Sequence, residues 1–188
     1  DLWGMTSIVR VNRNEPGVIY RTLDLGAQAI VVPHVNTADE ARAVVAATKF
    51  HPVGQRGIFT SRQGYGVDDF TAAANAQSLV IVLIEDIVAV NNLPEILAVE
   101  HIDVFYVAPG DLGQSLGYVD RTHPEVLQTV ERALETIVQA SRIAGTLVTE
   151  QTVAGYLQMG VRFTSTGWTT WMESGARGFL AQVAATAI

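Results

Sequence analysis

At 188 residues, with 48% hydrophobic and 16% charged positions, the chain can bury one sizeable core, and nothing in its composition reads as disordered or low-complexity. Its formal net charge of −7 is spread along the chain without a basic block, which argues against nucleic acid or an anionic membrane as partner and favours a small molecule. The absence of cysteine excludes disulfides, thiol nucleophiles and thiolate metal sites; with no apolar run of membrane-spanning length and no leader pattern, the expected setting is the cytoplasm.

In chain order, short β-branched runs alternate with segments of helical period, the pattern of a parallel sheet joined by crossover helices. A strand over Thr6–Val11 precedes a helix over Pro16–Leu25, which opens on proline and is closed by Gly26. A strand over Ala29–Val32 leads to a helix over Ala38–Thr48, capped by the preceding threonine. After a long polar and aromatic loop spanning Gly57 to Gly66 come strands over Leu79–Glu85 and Asp103–Ala108. A helix over Pro124–Ser141, a strand over Gly145–Thr149, a helix over Glu150–Met159, a strand over Phe163–Ser165 and a helix over Thr169–Ala187 complete the chain. Most of these strands are nearly continuous apolar runs, as expected of strands buried on both faces.

Six βα units allow an open doubly wound sheet or a (β/α)8 barrel. A barrel usually takes roughly 250 residues, and no glycine-rich dinucleotide fingerprint follows the first strand. The expectation is a single partial barrel domain over residues 1–188, a TIM barrel whose first two βα units lie outside this sequence. Its exposed edges would then be the first and last strands.

The site of such a fold lies at the carboxyl ends of the strands, so the polar residues that end each apolar run are the candidates. Glu85 ends the run that begins at Leu79, where a carboxylate is costly unless it is paired, exposed or bound to a cation. Asp111 occupies the same place one strand later. Two carboxylates on adjacent strand ends can share one ion, and hard oxygen donors favour magnesium or manganese, with cobalt or zinc as further options. Strand alternation turns Asp86 away from Glu85. Arg10, on an apolar strand, can bind a carboxylate or an oxygen that gains negative charge; as a single residue it fits equally well as a structural ion pair. The turn Pro109-Gly110-Asp111 offers backbone N–H groups to a substrate carboxylate. His34 stands beside this site, whereas His51, His101 and His123 read as surface or capping residues, and no serine, histidine and acid triad is suggested by spacing.

Taken together, several stretches resemble the HpcH/HpaI aldolase and citrate lyase family, the class II pyruvate aldolases, over nearly the whole chain. They are Ile8-Val9-Arg10 with Pro16 following, Leu25-Gly26-Ala27 leading to Val31-Val32-Pro33, Gly54-Gln55-Arg56-Gly57, and Leu83-Ile84-Glu85. Further along come Asn92-Leu93-Pro94-Glu95-Ile96-Leu97, Pro109-Gly110-Asp111-Leu112 with Ser115-Leu116-Gly117-Tyr118, His123-Pro124-Glu125-Val126, and the strand between Gly160 and Gly167. The resemblance implies a barrel of the phosphoenolpyruvate/pyruvate type and a homo-oligomer, commonly a hexamer, in which the last helix reaches a neighbouring subunit.

The resemblance also implies roles. Glu85 and Asp111 would hold the divalent metal, Arg10 the oxo group of pyruvate and its enolate, and the backbone around Gly110 and Asp111 the pyruvate carboxylate. The reaction would be cleavage of a 4-hydroxy-2-oxo acid to pyruvate and an aldehyde, an aldehyde-lyase chemistry. A coenzyme A ester lyase of the citrate lyase beta or malyl-CoA type is the alternative within the family, and a non-catalytic paralogue that binds 2-oxo acids is the alternative outside enzymes. The chain departs from the family pattern in three places. Leu83 stands where members often carry glutamine, the segment Gly64-Tyr65-Gly66 is atypical, and the family's aspartate–histidine acid/base pair would precede Asp1.

Overall fold

The computed structural model describes residues 4–58 and 62–186. Among these, six strands form one wholly parallel sheet: β1 (Ile8–Arg10), β2 (Ala29–Val32), β3 (Leu79–Ile84), β4 (Val104–Val107), β5 (Ala144–Leu147) and β6 (Phe163–Ser165). Their spatial order is their sequence order. A doubly wound sheet reverses direction at a switch point; this one never does, and it curls as half of a barrel does. The helices accordingly cover one face. The large core cluster, with Ile30, Val32, Val82, Ile84, Phe105 and Val107, lies on the helix-covered side, and the smaller cluster of Ala29, Ile81 and Val104 lies on the other side, beside Val31, Leu79, Tyr106 and Phe163.

The helices are α1 (Pro16–Asp24), α2 (Ala38–Thr48), α3 (Phe70–Gln77), α4 (Ile87–Asn91), α5 (Leu93–Leu97), α6 (Pro109–Ser115), α7 (Pro124–Gln139), α8 (Val153–Met159) and α9 (Trp168–Thr186). Thr37 caps α2 in a full capping box with Glu40, and Gly160 ends α8 in the left-handed conformation. Several expected boundaries are corrected. β1 is three residues rather than six, β3 stops at Ile84, β4 is shorter by one residue at each end, and β5 runs from Ala144 and stops short of Thr149. α1, α7 and α8 are likewise shorter than expected, α9 begins one residue earlier, and Ala187 lies outside the described residues. Four short helices, α3 to α6, of five to eight residues each, lie in segments where the sequence reading places no helix. The long loop contains a 3-10 turn at Arg62–Gly64, with residues 59–61 outside the described residues.

The stretch Gly54-Gln55-Arg56-Gly57 serves packing at the amino end of the strands. A Cβ at Gly54 would stand 2.2 Å from the Lys49 carbonyl oxygen, so only glycine fits. Arg56 donates to Asp24 at 2.6 Å with both side chains buried, and its guanidinium lies 4.5 Å from the centre of the Phe50 ring. This fastens the loop after α2 to the end of α1.

Candidate active site at the carboxyl ends of the strands

Six apolar residues carry β3 through the core, and the next residue is Glu85, whose side chain is 1% exposed. Counting along the strand, Ile81, Leu83 and Glu85 share the face away from the helices. Leu83, two residues before Glu85, is buried on that same face.

Glu85 Oε1 accepts the backbone N–H of His34 at 2.9 Å and lies 3.2 Å from His34 Nδ1. Glu85 Oε2 is buried and has no hydrogen-bond partner among the described residues. Burial, above all, pushes the Glu85 carboxyl above the ordinary carboxylate range. The contacts with His34 oppose that rise, Asp111's charge adds to it, and Arg10's charge opposes it. Asp111 and Arg10 therefore stand within electrostatic reach of Glu85, and both are exposed.

Neighbouring groups fix the frame. Asp86 accepts the Val88 N–H at 2.8 Å and caps α4, so it is spent locally, as strand alternation predicts. The Ile87 N–H donates to Ser115 Oγ at 3.0 Å, and that hydroxyl donates to the Leu112 carbonyl at 2.8 Å. Ser115 thus ties the segment after Glu85 to α6, which carries Asp111. Pro109, Gly110 and Asp111 form the first turn of α6 rather than a free turn, and no side chain caps that helix. An added Cβ at Gly110 would meet nothing within 4 Å, so the space beside this turn is open.

The other histidines are as expected. His123 Nδ1 accepts the Glu125 N–H at the start of α7 and its ring stacks on Tyr118 at 3.8 Å, while His51 and His101 are exposed. Two features were underweighted by sequence reasoning. His34 touches Glu85 directly, for which its place at the end of β2 was the only signal. The Ser115 tie has no sequence signal.

No group of three or more His, Asp or Glu side chains placed to hold an ion occurs among the described residues. Among the described residues, the carboxylates of Glu85 and Asp111 lie within electrostatic reach of each other. A buried carboxylate oxygen without a partner, beside a second carboxylate, suits a hard divalent cation that keeps most of its water or binds substrate oxygens. The residues present fit such an ion.

A singly wound, curled parallel α/β sheet with acidic side chains at its carboxyl ends has the architecture of half an α/β barrel. Comparison narrows the class. The profile of the HpcH/HpaI aldolase/citrate lyase family matches residues 3–173. The 4-hydroxy-2-oxo-heptane-1,7-dioate aldolase of Shigella sonnei is 37% identical over 180 residues, covering 93% of this chain and 69% of that protein. The 2-keto-3-deoxy-L-rhamnonate aldolase of Salmonella dublin is 38% identical over 176 residues, covering 90% of this chain and 66% of that one. The crystal structure of a family member from Burkholderia cenocepacia J2315 superposes with a TM-score of 0.85 at 32% identity, covering 94% of this chain and 72% of that one. The chain belongs to the HpcH/HpaI aldolase/citrate lyase family, and its relatives place it among the aldolases, which are lyases. It spans about two thirds of the length of these curated relatives.

Proposed function

We propose that this chain carries the cation and oxo-acid site of a class II pyruvate aldolase, which cleaves 4-hydroxy-2-oxo acids to pyruvate and an aldehyde. The observation that carries the reading is Glu85 Oε2, buried and without a hydrogen-bond partner among the described residues, in the electrostatic reach of Asp111 and Arg10. The names of the two relatives describe substrates that share a 2-oxo group, an unsubstituted C3 and a hydroxyl at C4. Cleavage between C3 and C4 of either leaves pyruvate.

Glu85 and Asp111 hold a divalent cation in this reading, magnesium or manganese in preference to zinc, which usually takes more protein ligands. When bound, the cation supplies Lewis-acid polarisation of the oxo group. Arg10 donates to the same oxo oxygen and balances the charge that oxygen gains as the C3–C4 pair passes into the enolate. The first-turn N–H groups of α6, at Gly110 and Asp111, receive the substrate carboxylate. Loss of the C4 hydroxyl proton accompanies release of the aldehyde, and a proton delivered to C3 completes pyruvate. In the family this chain resembles, an aspartate–histidine pair moves these protons.

The six strands are read as consecutive strands of an eight-stranded barrel, in line with their unbroken order and one-sided helices. α9 has no buried residue, and it exposes Trp168, Met172, Phe179 and Val183 at spacings of four, seven and four, which places them on one helical face. That face is assigned to a second copy of the chain.

Oxalate tests the site without requiring turnover, because it is a planar dianion with the shape of the pyruvate enolate. In calorimetry it should bind only when Mn2+ or Mg2+ is present. Arg10→Lys keeps the charge but loses the planar fork, and should weaken oxalate at least ~10-fold with an unchanged circular dichroism spectrum. Oxalate binding indifferent to chelator, or unaltered in Arg10→Lys, overturns the reading.

A further inference from the structure

We propose that His34 is a positioning residue for the cation site: it clamps Glu85 Oε1 from two sides and leaves Oε2 as the oxygen presented to the ion. This rests on the reading of Glu85 as a ligand given above.

His34 follows Pro33 at the carboxyl end of β2, on the strand next to β3. Its φ is 56°, a left-handed conformation that non-glycine residues rarely adopt and that persists where surrounding contacts demand it. That conformation brings two groups of one residue onto one oxygen. The backbone N–H donates to Glu85 Oε1 at 2.9 Å, and the imidazole Nδ1 stands 3.2 Å from the same atom.

A carboxylate held at one oxygen by a single donor can still swing its plane. With a second group on that oxygen, the plane is held and the other oxygen has a fixed direction. That other oxygen is the one without a hydrogen-bond partner among the described residues. The imidazole is 67% exposed while the Glu85 side chain is 1% exposed, so His34 gains little from burial and its placement serves the contact. An Nδ1–H is present in one neutral tautomer as well as in the cation, so the clamp does not depend on the ring's charge. Groups that orient ligands in this way typically change metal affinity by about 10- to 100-fold when removed.

Two substitutions separate the side chain from the backbone. His34→Gly suits the positive φ and keeps the backbone N–H, but removes the imidazole. His34→Asn also tolerates the left-handed region, and its amide nitrogen occupies the place of Nδ1. Mn2+ affinity would be measured on the whole chain by electron paramagnetic resonance, with melting temperature recorded in chelator. The expected result is a loss of about 10- to 100-fold in His34→Gly, near-parental affinity in His34→Asn, and little change in the chelated melting temperature. The electron spin echo of bound Mn2+ should show no directly coordinated imidazole nitrogen. Parental affinity in His34→Gly overturns the proposal, as does a coordinated nitrogen, which would make His34 a ligand. If the parent chain itself binds no Mn2+, the reading of Glu85 and Asp111 fails first and this inference falls with it.

Discussion

Charge on a carboxylate that ends six apolar residues is costly, because one hydrogen bond and one imidazole contact replace a full hydration shell. The cost falls on the metal-free fold, where Glu85 Oε2 has no hydrogen-bond partner among the described residues and Asp111 adds repulsion. Glu85→Gln keeps an oxygen for the His34 N–H and turns an amide toward Asp111. We expect the substituted protein to gain about 1–2 kcal/mol in chelator, a rise of about 2–8 °C in Tm for a chain of this size. Added Mn2+ should raise the Tm of the parent and leave that of Glu85→Gln unmoved. A Glu85→Gln protein that melts lower than the chelated parent would show that the carboxylate is held for the fold itself. Asp86, one residue on, illustrates the opposite assignment: the same side-chain type caps α4 and is predicted to be replaceable by asparagine without effect on the ion.

The elements differ in how far the sequence revealed them. Strands such as Leu79–Ile84 and Val104–Val107 are legible because a β-branched run bounded by polar residues has few other fates in a chain of this composition. α2 is legible because Thr37 and Glu40 form a capping box, and α7 because its buried positions Val126, Val130, Ala133, Leu134 and Ile137 repeat at helical spacing. α3 is not, since Phe70–Gln77 is alanine-rich with no buried residue and starts from Asp69 in the left-handed region. α4 and α5 have five residues each and meet at Asn92, too short for a period to register. The site was legible in part for similar reasons. Strand parity separates Glu85 from Asp86, whereas the grip of His34 depends on a positive φ that no local pattern announces. Resemblance alone also does not distinguish packing from chemistry, as Gly54-Gln55-Arg56-Gly57 demonstrates. Removing Arg56 would leave Asp24 buried without its partner, so Arg56→Ala should lose about 3–5 kcal/mol in urea unfolding. Its Mn2+ affinity in the folded state should match the parent; a selective loss of Mn2+ binding with normal stability would place this stretch in the site after all.

At the scale of the whole molecule, the fold places its candidate site residues at one end of the sheet and its locking residues at the other. Glu85, His34, Asp111 and Arg10 stand at the carboxyl ends, while Arg56 and Asp24 fasten the amino side. α9 lies outside both, nineteen residues long without a buried side chain, and a monomer rarely leaves such a face uncovered. Met172→Asp together with Phe179→Asp should convert an oligomer seen by light scattering into monomer, and an unchanged mass would remove α9 from the interface. The central claim is that Glu85 and Asp111 together hold one divalent cation. Calorimetric titration of chelator-treated protein with Mn2+ addresses it directly, comparing the parent with Glu85→Gln and Asp111→Asn. One ion per chain in the parent and a loss of at least ~10-fold in affinity in each variant is the predicted result; equal Mn2+ binding by all three proteins, or none by the parent, would contradict it.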